Sequence, residues 1–178
     1  MAVGPTNKDG DFVDRVNVVV PQYDVDWFQI EKLRYKVNDG VWSEVPYDGK
    51  FELVLETFTE LGVYAVMAKV ILASGLEYEL EPLQLSIVTG DLDVHASTVS
   101  VDKAKLIADG QETLTVTVKL VDSYDHVLPD REVILLANSD RPVIETLGDG
   151  LTDENGEIVF QVTSTKAEIV QLTAKDAD

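Results

Sequence analysis

Leu114-Thr115-Val116-Thr117-Val118-Lys119-Leu120 alternates apolar with hydroxyl-bearing or charged side chains without a break. In an extended chain this period of two sets Leu114, Val116, Val118 and Leu120 on one face and Thr115, Thr117 and Lys119 on the other. β-Branched residues fill most of the positions, which suits a pleated, half-buried surface. The stretch therefore predicts a strand with one face in a core and one in water. The same period recurs downstream, where Ile158, Phe160 and Val162 alternate with Gln161 and Thr163, and Val170, Leu172 and Ala174 alternate with Gln171 and Thr173. Residues 131–137 are more continuously apolar, predicting a strand partly covered on both faces. Turn signals separate these runs: Ala108-Asp109-Gly110, Val127-Leu128-Pro129-Asp130 and Thr152-Asp153-Glu154-Asn155-Gly156-Glu157, with Asn155-Gly156 read as a hairpin turn.

The first half repeats the pattern with more aromatics. Val16, Val18 and Val20 open it, and Leu33, Tyr35 and Val37 lead into Asn38-Asp39-Gly40, a hairpin signal followed by Trp42 on the return strand. After Asp48-Gly49, Phe51, Leu53 and Leu55 alternate with Glu52 and Glu56. Tyr64, Val66, Ala68, Val70 and Leu72 form the longest alternating run, which Ala73-Ser74-Gly75 turns back into residues 76–80 and 83–88. Seven or eight strands in a sandwich account for this half. Glu60-Leu61-Gly62-Val63-Tyr64-Ala65-Val66 resembles the corner that opens strand F of immunoglobulin-like folds, where the Tyr hydroxyl bonds back to nearby backbone. Trp42 or Trp27 is then the candidate core tryptophan.

The segment Thr89-Gly90-Asp91-Leu92-Asp93 disfavours strand continuation and divides the chain into two domains, 1–89 and 90–178. So short a linker predicts end-to-end sandwiches with limited bending. Both domains are all-β in this reading, and both are acidic: 15 acids against 7 bases in the first, 18 against 7 in the second, for a formal charge of −19 over 178 residues. Nucleic-acid binding and docking on anionic lipid both need clustered Lys and Arg, so neither is expected. With no cysteine, disulfides, thiol catalysis and zinc-thiolate sites are excluded. No run approaches the ~18 apolar residues of a membrane-spanning helix.

Over residues 92–176 the chain resembles the bacterial immunoglobulin-like module of the invasin/intimin type (group 1). The parts that carry the resemblance are a leading strand at Val94–Val101, the turn Ala108-Asp109-Gly110, the strand Leu114–Leu120, Pro129, the turn Asp153-Glu154-Asn155-Gly156 and the strand Ile158–Thr165. A Gly-x-Tyr is expected before the last strand, and Ala167-Glu168-Ile169 stands in its place. The first half is similar to immunoglobulin-like or fibronectin-like sandwiches in general. What the resemblance implies is two tandem immunoglobulin-like β-sandwiches with no catalytic residues and mechanical or display work.

A search for chemistry agrees with a non-enzyme. His95 and His126 fall in no metal-binding spacing. Ser123, Asp125 and His126 are neighbours in one loop and cannot form the nucleophile–base–orienter line of acyl transfer. Asp149–Glu157 fails as a calcium loop because Leu151 occupies the position of the first ligand when Gly156 is placed as the invariant glycine. Paired carboxylates are too abundant here to single out a glycosidase pair. No cofactor is implied, and the one calcium candidate is the domain junction, where Asp91 and Asp93 are placed to join acids such as Asp9, Asp11 or Asp14.

Residues 1–10 have neither the basic stretch nor the apolar stretch of a secretory signal. That favours a structural or decoration protein of a bacteriophage virion, assembled in the host cytoplasm with other virion subunits as its partners. The alternative is a stalk fragment of a bacterial cell-surface adhesin or surface-layer protein, with a host-surface ligand as a partner.

Overall fold

The computed structural model describes residues 1–20, 29–47 and 53–177. The chain divides into two compact units, Met1–Val88 and Thr89–Asp178.

In the first unit, β1 (Ala2–Val3), β2 (Val16–Val20) and β5 (Leu53–Phe58) form one antiparallel sheet in the order β1-β2-β5. The second sheet runs β4-β3-β6-β7, from β4 (Ser43–Pro46), β3 (Ile30–Val37), β6 (Gly62–Leu72) and β7 (Glu77–Glu79), and β8 (Leu83–Ile87) also pairs with β6. At eleven residues β6 is long enough to serve two partners: β8 takes Gly62–Val66 and β7 takes Lys69–Ile71. The core lies between the sheets. Val16 is 0 % exposed, Leu33 1 % and Ile87 2 %. Each is an inward position of an alternating run, and burying one such side chain contributes about 1.5–3 kcal/mol.

Asn38 adopts φ 51° at the β3–β4 turn, and its side-chain oxygen accepts the Ala65 amide at 2.8 Å, tying the turn to β6. Of the two candidates for the core tryptophan, Trp42 does not lie in the core. It precedes the edge strand β4, is 37 % exposed, and sits beside the Lys36 and Lys69 ammonium groups at 5.7 and 5.2 Å from its ring centroid. Phe51, Asp48-Gly49 and Trp27 lie outside the described residues.

In the second unit, β9 (Thr98–Val101), β10 (Leu114–Lys119), β13 (Glu157–Thr163) and β12 (Val143–Leu147) make a four-stranded antiparallel sheet in the order β12-β13-β10-β9. Against it packs a two-stranded sheet of β11 (Val133–Ala137) and β14 (Leu172–Asp176). Register follows the hydrophobic pattern: Val116 opposes Phe160 and Val118 opposes Ile158, and all four are at most 2 % exposed. A slip of one residue would turn this whole set to water, which is why the pairing is unique.

One expectation is refined here and one changes. The two faces of β11 are covered unequally: Val133 and Leu135 are buried, while Ile134 is 44 % and Leu136 49 % exposed. The leading strand is shorter than the pattern 94–101, because the Asp93 side chain accepts the amides of His95 and Ala96 and holds that segment in a turn.

Candidate functional site

The connection between the two sheets of the first unit is fixed at its corner. The Tyr64 hydroxyl donates to the carbonyl of Glu60, four residues upstream, at 2.8 Å. The Tyr64 ring lies 4.4 Å from that of Phe58, the last residue of β5. Hydroxyl and ring together tie β6 to the segment that leads in from β5.

The outer face of β3 and β6 gathers most of this unit's cations. Alternation puts Lys32, Arg34 and Lys36 opposite the inward Leu33, Tyr35 and Val37, and Lys69 stands beside Arg34 in register. Glu44 meets Lys32 and Arg34, each at 3.0 Å, and Lys69 meets Glu79 at 2.9 Å and Glu77 at 3.7 Å. The Glu44 carboxyl is held low chiefly by its hydrogen bond to Lys32, and the Lys69 ammonium is raised chiefly by its bond to Glu79. Trp42 rests over this cluster. Linear charge counts conceal the grouping, but the period-two spacing of Lys32, Arg34 and Lys36 was its available signal.

The most buried ionisable group in the second unit is Asp122, at 0 % exposure. One carboxylate oxygen accepts the amides of Tyr124 at 2.8 Å and His126 at 2.9 Å. The other accepts the Gly90 amide at 2.6 Å and lies 3.0 Å from His126 Nδ1. Burial pushes this carboxyl up, but the three amides and the His126 ring outweigh it and hold it below the usual carboxylate range. Asp122 thus ties the beginning of the second unit to the loop after β10. Gly90 is matched to it, because a Cβ there would stand 3.1 Å from the carboxylate. The carboxylate that meets His126 is Asp122; Asp125 occupies the same turn at φ 65°. Asp122 was missed in the sequence because its Gly90 partner is 32 residues away.

The turn at 153–157 differs in type from the Asn155-Gly156 hairpin. Of the two residues, Gly156 alone has positive φ, at 71°, whereas a type I′ hairpin turn needs it at both and a type II′ turn at the first. Instead the Asp153 carboxylate accepts the amides of Asn155 and Glu157, each at 2.9 Å, and the Gly156 amide donates to the Asp153 carbonyl. A Cβ at Gly156 would meet the Leu120 carbonyl oxygen at 2.7 Å. Asp91 is exposed, and Asp93 has one carboxylate oxygen committed to its own turn. Among the described residues no group of three or more His, Asp or Glu side chains is arranged to hold a metal ion.

Comparison with known proteins adds the family of the second unit. Residues 96–178 match the bacterial Ig-like domain (group 1). Among solved structures, invasin, described as a bacterial integrin-binding protein, superposes over 99 % of this chain with a TM-score of 0.58 at 19 % identity. That match supports tandem β-sandwiches; the chain spans 36 % of the invasin chain. The D00-D0 domain of intimin covers 99 % of this chain and 91 % of its own, at 16 % identity and a TM-score of 0.43. A glycosyl hydrolase family 2 member from Bacteroides cellulosilyticus covers 96 % of this chain and 24 % of its own, at 18 % identity and a TM-score of 0.40. These last two are too distant to bear on the fold.

Proposed function

We propose, for a chain whose second unit is a bacterial Ig-like domain (group 1), a non-catalytic role as a stalk segment of a bacterial cell-surface adhesin, carrying neighbouring modules towards a host-surface ligand. The observation that carries this reading is the match of residues 96–178 to that family. It favours the cell surface over the virion setting that residues 1–10 suggested. The character of the buried polar groups agrees: the Asp122 carboxylate is committed to three backbone amides and a histidine ring, which suits anchoring rather than proton transfer.

The test is location. Antibody raised against residues 96–178 should label intact, unpermeabilised cells of the source bacterium, and brief protease treatment of those cells should remove the label. Label confined to purified phage particles, with none on bacteria, would refute the surface reading and favour the virion one.

A further inference from the structure

The outer face of β3 and β6 in the first unit has two halves of different chemistry. In one half each charge has an opposite neighbour: Glu44 bridges Lys32 and Arg34, and Lys69 meets Glu77 and Glu79. The apolar side chain of that half is covered, for Ile71, between Lys32 and Glu77 in register, is 7 % exposed.

The other half is uncovered. Lys36 opposes Met67 across the two strands, and the Trp42 ring lies beside Lys36, 5.7 Å from its ammonium nitrogen. Alternation along β6 puts Val63 on the same face as Met67. Met67 is 41 % exposed, Val63 76 %, and Trp42 and its chain neighbour Val41 are 37 % and 87 % exposed. Apolar side chains gathered in this way on a surface mark a place where another molecule sits. Lys36 itself forms no ion pair among the described residues, and the Trp42 ring is its neighbour instead. In a chain where acids outnumber bases 33 to 14, a lysine left without a carboxylate is informative.

We propose that Val41, Trp42, Lys36, Met67 and Val63 form a docking surface for a segment of another protein that carries one carboxylate beside apolar side chains. The carboxylate meets Lys36, and the apolar side chains cover Trp42, Met67 and Val63. Such a partner is additional to the stalk role, which needs none at this face.

The strip itself favours this occupant over two others. A sugar acid would satisfy Lys36 and stack on Trp42, but its hydroxyls would find no hydrogen-bonding side chain on Val41, Met67 or Val63. A second copy docking by the same strip about a two-fold axis would bring Lys36 against Lys36 with no acid between them. The formal charge of −19 adds selectivity, because an acidic segment is repelled by most of the remaining surface.

The test selects random heptapeptides by mRNA display on the full chain, with the Trp42→Ala chain as counter-selection. The enriched peptides should carry an Asp or Glu within two residues of Leu, Phe or Trp. In a synthetic copy, changing that acid to its amide should weaken binding about fivefold, and Lys36→Gln in the chain should erase the difference between the two peptides. Trp42→Ala should weaken binding about tenfold or more. Enrichment of peptides without an acid, or of none that depends on Trp42, would overturn the proposal. So would N-acetylneuraminic acid shifting the Trp42 indole NMR signal at lower concentration than the selected peptide does, since the face would then suit a sugar acid. A wild-type chain that sediments as a dimer, while Trp42→Ala sediments as a monomer, would assign the strip to a second copy and overturn it equally.

Discussion

Replacing Asp122 with Ala should be among the most damaging single changes in the second unit. The substitution strips acceptors from the amides of Gly90, Tyr124 and His126 and removes the partner of the His126 ring in a fully buried setting. A buried donor left unpartnered costs about 1–3 kcal/mol. Three of them, with water relieving part of the loss, give about 3–5 kcal/mol, or a fall in Tm of more than about 12 °C for a unit of this size. Asp122→Asn keeps the shape and one acceptor but turns an NH₂ towards the Gly90 amide, for about 2–3 kcal/mol. The pH dependence separates this account from simple loss of packing. The folded carboxyl lies below its unfolded value, so its stabilisation is complete above the unfolded pKa near ~3.9 and is lost as pH falls through the folded pKa. The gap between wild type and Asp122→Asn should be widest at neutral pH and shrink towards pH 2 in calorimetric melts. A gap that stays constant across that range, or an Ala variant costing under about 1 kcal/mol, would refute the reasoning.

Gly156→Ala should cost about 2 kcal/mol or more in urea melts, because the position has φ 71° and the new Cβ meets the Leu120 carbonyl oxygen at 2.7 Å. An Ala variant as stable as wild type would show that the turn relaxes freely. Tyr64→Phe should lose about 1 kcal/mol by denaturant titration, since the bond to Glu60 goes while the ring contact with Phe58 stays. Tyr64→Ala should lose clearly more, and equal losses would mean that the hydroxyl alone matters. Trp42→Ala should change stability by less than about 1 kcal/mol, as suits an exposed aromatic beside lysines; a loss of about 3–5 kcal/mol would place it back in the core.

The strands were legible because period-two alternation is a local property. Leu114–Lys119 and Glu157–Thr163 carry it in their own side chains, and the structure buries the apolar set of each. What the pattern leaves open is whether a second layer covers the other face. Residues 131–137 read as partly covered on both faces, and the two faces differ in degree: Val133 and Leu135 are buried, while Ile134 and Leu136 on the other side of a two-stranded sheet are 44 % and 49 % exposed. The choice between Trp42 and Trp27 stayed open for a related reason: an aromatic next to an edge strand turns to the core or to water according to its neighbours, and Lys36 and Lys69 supply a cationic surface for the Trp42 ring. Asp122 was illegible because its importance depends on Gly90, which only the folded chain brings to it.

The acidity of the second unit has a structural source beyond solubility. Its turns are closed by carboxylates that accept backbone amides: Asp93 from His95 and Ala96, Asp109 from Gln111 and Glu112, Asp149 from Leu151, and Asp153 from Asn155 and Glu157. Asp102 does the same across strands for Thr115, and Asp122 does it in the interior. A sandwich of short strands needs many turns, and each turn leaves amides that no ladder satisfies. An aspartate two to four residues upstream meets that need without help from another part of the chain. Asp109 and Asp153 sit below the usual carboxylate range, first because of the amides of Glu112 and Glu157 respectively, which places the stabilisation in the ionised form. The first unit departs from this arrangement at Glu44 and Glu79, where the carboxyls are held low chiefly by lysine side chains. Salt screens such exposed ion pairs far more than it weakens short hydrogen bonds to backbone. The two units thus use their acids differently, and much of the charge of the second records how many turns its strands require.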